Sequence, residues 1–129
     1  MFTTLSSILS AFGRPGQNVH FGGHYLSSSA DAIAAVNPGA QATATPLTLD
    51  LNRVVTVPAA ASGVLLPLAV PGMEITVINA HATLAINVYP AVGDQINALG
   101  VNAAFSPAAT KVATFYCTVA LQWHSLLSA

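Results

Sequence analysis

Four acids, four histidines and one cysteine are the side chains with which this chain of 129 residues could do chemistry. The acids are Asp31, Asp50, Glu74 and Asp94. Two carboxylates flanking a cleft could hydrolyse a glycoside, but no aromatic cluster accompanies them to build the cleft. His20 and His24 bracket a Gly-Gly pair in "HFGGH". On a helix that spacing would let both rings share a metal. The glycines argue against a helix there, and no third ligand stands nearby, so the segment reads as a partner contact. Cys117 is the sole cysteine. It can form neither an intrachain disulfide nor a thiolate zinc cluster, and in the apolar run "TFYCTV" it reads as a small buried hydrophobe. The serines at 27 to 29 lack a G-x-S-x-G elbow, and no phosphate-cradling glycine loop is present. The expectation is no catalytic residue, no metal, no cofactor and no enzymatic activity.

Asp94 is different in setting. It lies in "VYPAVGDQINALG", between Gly93 and a second glycine at Gly100. Glycine reaches backbone angles that other residues avoid, and an aspartate accepts bonds from nearby backbone N–H groups. Gly93, Asp94 and Gly100 are therefore expected to form a structural turn.

Charge is scarce throughout. Charged residues make up 5% of the chain and hydrophobic ones 53%, where roughly a quarter charged is usual. Little electrostatic repulsion keeps such a chain from its neighbours. Much of its surface is expected to face other protein chains; the alternative is a secreted β domain coated with Ser, Thr and Asn. Arg14, Arg53 and Lys111 are the only strong cations, too few for a phosphate footprint, so nucleic acid is not an expected partner. The most apolar window, residues 54–73, holds Pro58, Pro67 and Pro71. Three prolines argue against a spanning helix. The first residues lack a basic region before their apolar run. The expectation is a soluble protein with no membrane partner and no targeting segment.

The chain is expected to divide into an N-terminal arm, residues 1–45, and a β domain, residues 46–129. In the arm, Phe2, Leu5, Ile8, Leu9 and Phe12 recur at helical spacing, and a helix this short needs something to pack on. These five, with His20, Phe21, His24 and Tyr25, are the expected partner-binding residues. "SADAIAAVNPG" offers a second helical turn, with Ser29 as its cap. Beyond residue 46 a period of two takes over. "LTLDLN" sets Leu47, Leu49 and Leu51 on one face and Thr48, Asp50 and Asn52 on the other. The expected core is Ile75, Val77, Leu84, Ile86, Val88, Phe115 and Trp123, with His124 turned away from Trp123. "KVATFYCTV" and "LQWHSLL" are expected to pair as a hairpin. Seven or so short strands at about ten-residue spacing suggest an all-β fold: an antiparallel β-sandwich, a jelly-roll-like fold or a small barrel, carrying an arm with a short helix.

The stretches "PGMEITVIN", "LAINVYPAVGDQINALG", "NAAF", "KVATFYC" and "QWHSLLSA" resemble a small β-rich structural module of tailed-bacteriophage virions. The resemblance covers about half the chain and is structural rather than catalytic. It implies a virion location and a role as a capsid decoration (cement) protein that bridges capsomers. The implied partners are the major capsid protein or another virion protein, and further copies of the chain as a homotrimer. The alternatives are a tail-fibre, spike or baseplate module, or a carbohydrate-binding β-sandwich.

Overall fold

The computed structural model describes residues 19–21 and 24–129, with side chains from Leu26 onward. The expected helix of residues 2–12 lies outside the described residues, as do the side chains of His20, Phe21, His24 and Tyr25. Eleven strands follow in order: β1 Val19–Phe21, β2 His24–Leu26, β3 Ser29–Ala34, β4 Thr45–Pro46, β5 Leu51–Thr56, β6 Ser62–Leu65, β7 Glu74–Asn79, β8 Ile86–Tyr89, β9 Gln95–Ile96, β10 Val112–Val119 and β11 Gln122–Leu127. Among the described residues there is no helix.

β1 and β2 form a small antiparallel pair. The remaining strands make a six-stranded sheet, ordered β3-β5-β7-β10-β11-β9, and a three-stranded sheet, ordered β4-β6-β8. The chain alternates between them: β3 then β4, β5 then β6, β7 then β8. Each strand lies parallel to its counterpart from the previous pass. Ser29, Leu51 and Thr76 stand abreast, so one pass takes 22 residues (29 to 51) and the next 25 (51 to 76). β10 then runs back antiparallel to β7, and β11 antiparallel to β10. The fold is all-β with mixed sheets, and its winding points to a short β-solenoid.

The antiparallel sandwich, jelly roll or barrel is thus corrected. Alternation reports which face of a strand is buried; it is silent on direction. Direction follows from the connections, and every passage among β3 to β8 crosses to the other sheet before returning. The expected hairpin is present: Ala120 and Leu121 form the tight turn from β10 to β11, with Leu121 at φ 68°.

The expected boundary at 45/46 falls inside β4, and β3, which precedes it, is bonded into the sheet beside β5. The helical turn expected from "SADAIAAVNPG" is instead strand β3. Its pairing with β5 overrides the weak helical preference of an Ala-rich run. An irregularity in register falls around Ala32, whose φ is 60°, and the Asp31 carboxylate accepts the Ala32 N–H at 2.8 Å. The face expected for "LTLDLN" is also inverted past Asp50. A bend at Leu49–Asp50 shifts the phase, so Asn52 and Val54 are buried while Leu51 is exposed.

Apolar residues from both sheets join in one core. Of the expected core, Ile75, Val77, Ile86, Val88, Phe115 and Trp123 are buried, and Leu84 is half-buried against them. Phe105 meets Phe115 edge to face at 5.7 Å between ring centroids. Gly39 marks a tight approach between passes: a Cβ there would sit 1.7 Å from the carbonyl oxygen of Ala61. Gly39→Ala is therefore expected to destabilise the fold by about 1–3 kcal/mol or more, read from urea unfolding. A variant as stable as the parent would contradict this close packing.

Candidate functional site

The four acids do not converge. Asp31 is exposed on β3 and pairs with Arg53 of β5 at 2.8 Å. That guanidinium bond, and then the Ala32 N–H, hold its carboxyl below the ordinary 3.8. Asp50 accepts the Ser28 N–H at 3.2 Å and the Ser28 hydroxyl at 2.9 Å. Glu74 is exposed at the start of β7, abreast of Tyr116, which is abreast of His124. Asp94 is fully buried. Among the described residues no three His, Cys, Asp or Glu side chains gather as a metal site would require. Cys117 is buried, and that burial, followed by the charge of Asp94, pushes its thiol above the ordinary value. Such a thiol is a poor nucleophile. His81 acts locally: its Nδ1 accepts the N–H groups of Thr83 and Leu84 at 3.2 and 3.0 Å.

The turn residues have a larger role than their spacing implied. Gly93 and Gly100 take φ 93° and 105°, angles that glycine accepts most readily. The Gly93 N–H donates to Asn102 Oδ1 at 2.8 Å. Asp94 reaches out of its own turn: its Oδ2 accepts the Ala69 N–H at 2.7 Å, across 25 residues of sequence. Its backbone N–H donates to Ala91 O, and its carbonyl accepts from Asn102 N–H, both at 2.9 Å. The neighbouring Gln95 N–H donates to Leu121 O at 2.9 Å. Asp94 Oδ1 and Trp123 Nε1 are buried with no protein partner. The carboxyl ties the Asp94 turn to the loop before β7, and the backbone of Asp94 and Gln95 joins that turn to Asn102 and to the β10–β11 turn.

These three loops carry exposed apolar side chains: Leu68 and Val70 beside Ala69, Val92 and Val101 beside the Asp94 turn, and Val119 and Leu121 at the hairpin. Val92 is 78% exposed. They form a ridge at the edge of the six-stranded sheet where β7, β11 and β9 begin and β10 ends. The ridge was missed in the sequence, where the only available signal is apolar residues placed in turns instead of strands. A second surface is the outer face of the same sheet. Leu51, Thr76, Thr114 and Leu126 stand in one row, Thr76 and Thr114 joined through their hydroxyls at 3.1 Å. Tyr116 and His124 are exposed in the next row.

No family model, curated protein or solved structure matches the chain. The functional reading therefore rests on its surfaces.

Asp94→Ala leaves the Ala69 N–H buried without its partner, which is expected to cost about 1–3 kcal/mol; Asp94→Asn keeps an acceptor and should recover most of it. Urea unfolding of both variants decides, and an alanine variant indistinguishable from the parent would remove the tie. Asp31 has its pKa lowered by folding, so its contribution to stability is complete above pH 3.8 and fades as pH falls through the lowered value. Arg53→Met should flatten that acid limb of the stability curve, and an unchanged limb would contradict the pairing.

Proposed function

We propose that this chain is a non-enzymatic structural protein of a phage particle, acting as a capsid decoration protein that bridges neighbouring capsomers. The observation that carries the reading is the balance of its surface. Among the residues from Leu26 onward, twelve large apolar side chains are exposed, against six charged residues, one of which, Asp94, is buried. A free monomer gains nothing from that surface, whereas a chain surrounded by other chains does. The likeness of "LAINVYPAVGDQINALG" and its flanking strands to virion modules supports the particle as the setting.

The contact face in this reading is the outer face of the six-stranded sheet. Leu51, Leu126 and Tyr116 supply apolar area, the Thr76–Thr114 pair and His124 supply hydrogen-bonding groups, and Glu74, abreast of Tyr116, and the Arg53–Asp31 pair supply charge. The sheet edges are poor contacts by comparison. β3 is irregular in register, and β4 is two residues long and ends in Pro46, devices that discourage edge-to-edge pairing. A homotrimer would repeat the contact face three times, and avidity would make attachment long-lived. A tail-fibre, spike or baseplate module is the second reading, favoured by the parallel winding, since stacked coils extend along one axis as a fibre does.

Two measurements test the reading. Purified particles should contain the chain at a fixed ratio to the major capsid protein, and its absence from them would refute the role. Light scattering of the isolated protein should give three times the 13.1 kDa chain mass; a monomer at micromolar concentration would refute the trimer.

A further inference from the structure

Among the residues from Leu26 onward, the ridge gathers six apolar side chains, Leu68, Val70, Val92, Val101, Val119 and Leu121, each 48–78% exposed. A fully exposed valine or leucine side chain presents about 60–120 Å². At the observed exposures the six together present roughly 300 Å² of apolar surface. That matches the largest apolar patch of a typical free monomer, and such patches are often functional. A specific protein contact buries roughly 800 Å² per partner, with an apolar core inside a polar rim. The ridge supplies such a core, and exposed Asn102 and Thr118 stand beside it as rim.

The ridge is also fixed in advance. Ala69, between Leu68 and Val70, is bonded to Asp94 Oδ2 at 2.7 Å. Val101 stands abreast of Gln95, whose N–H donates to Leu121 O at 2.9 Å. The Gly72 N–H donates to Cys117 O at 2.8 Å and the Cys117 N–H to Met73 O at 3.0 Å, so the loop before β7 is tied to β10 as well. A surface already ordered loses little entropy when it binds.

Charge selects the occupant. Residues 66–73, 91–102 and 117–122 contain one charged side chain, Asp94, and it is buried. A surface that meets a copy of itself brings like charges together, and facing like charges oppose association. The ridge has none to oppose. The outer face of the six-stranded sheet carries Glu74 and the Arg53–Asp31 pair, and so suits a partner of different chemistry.

We propose that the ridge is where copies of this chain meet: the ridge of one copy packs against the ridges of its neighbours, and the outer face of the sheet stays free for the particle. The number of copies rests on the homotrimer of the proposed function; the place of contact does not.

Val92→Lys tests the contact. Val92 is the most exposed of the six, so the circular dichroism of the variant should stay that of the parent. Light scattering at micromolar concentration should give the 13.1 kDa chain mass for this variant and a multiple of it for the parent. Thr83→Lys adds the same charge on the exposed loop at the opposite end of β7, and should keep the parent's mass. A Val92→Lys protein with the parent's mass would overturn the proposal, and so would a monomeric parent. Spin labels give a second measurement, with Cys117 buried and out of reach of the reagent. Labels on Val92→Cys should lie closer together between copies than labels on Thr83→Cys, and the reverse order would overturn the contact. The particle reading fails separately. A chain that Val92→Lys splits but that is missing from particles upholds the ridge contact and refutes the particle role alone. A dimer split by the same substitution upholds the contact and refutes only the trimer.

Discussion

The turn around one buried carboxyl, Asp94, joins three loops at one end of the six-stranded sheet. Asp94 Oδ2 accepts the Ala69 N–H, and its backbone engages Ala91 and Asn102. The loop before β7 is thereby held to the loop that carries Asp94, and the next residue, Gln95, donates its N–H to Leu121 O of the hairpin turn. Packing holds part of these segments, through buried Leu66, Ala69, Ile96 and Cys117, while Leu68, Val70, Val92, Val101, Val119 and Leu121 are exposed. A buried acceptor with a backbone donor in reach is a strong local constraint: breaking it strands a polar group away from water.

The winding explains why the tie is needed there. β3 to β8 build a stack in which each pass is bonded to the previous one, and buried side chains from both sheets lock the passes together. After β8 that repetition stops. β9 is two residues long, and β10 and β11 turn the sheet antiparallel. β9 itself pairs with β11 at only two positions, Gln95 with Gln122 and Ile96 with Trp123, and the Asp94 turn and its partners add connections there.

Much of the core was legible in the sequence. Ile75 with Val77, and Ile86 with Val88, stand at the period of a half-buried strand, and Trp123 with His124 divides inward and outward as alternation requires. Strand direction was not legible, since the same alternation serves parallel and antiparallel neighbours, and a connection that crosses to another sheet has no distinctive turn residue. β3 was hidden because its alanines favour a helix and its partner lies more than twenty residues away. The Asp94 N–H bonds to Ala91 O within a turn, but the side-chain partner, Ala69, carries no sequence mark at all: a backbone N–H looks the same at every residue. The ridge was hidden for the same reason, being assembled from three separate loops. The functional proposal draws on the exposed apolar area of these surfaces, set against the small number of charged groups in the whole chain.

Native-state hydrogen exchange at the amides of Ala69, Gln95 and Asn102 tests the central claim most directly. If the Asp94 turn and its neighbour Gln95 bind the three loops into one unit, these amides should open together, with a common free energy close to that of the neighbouring β10 and β11 amides. Fast and independent exchange at the three positions, while β10 and β11 stay protected, would contradict it.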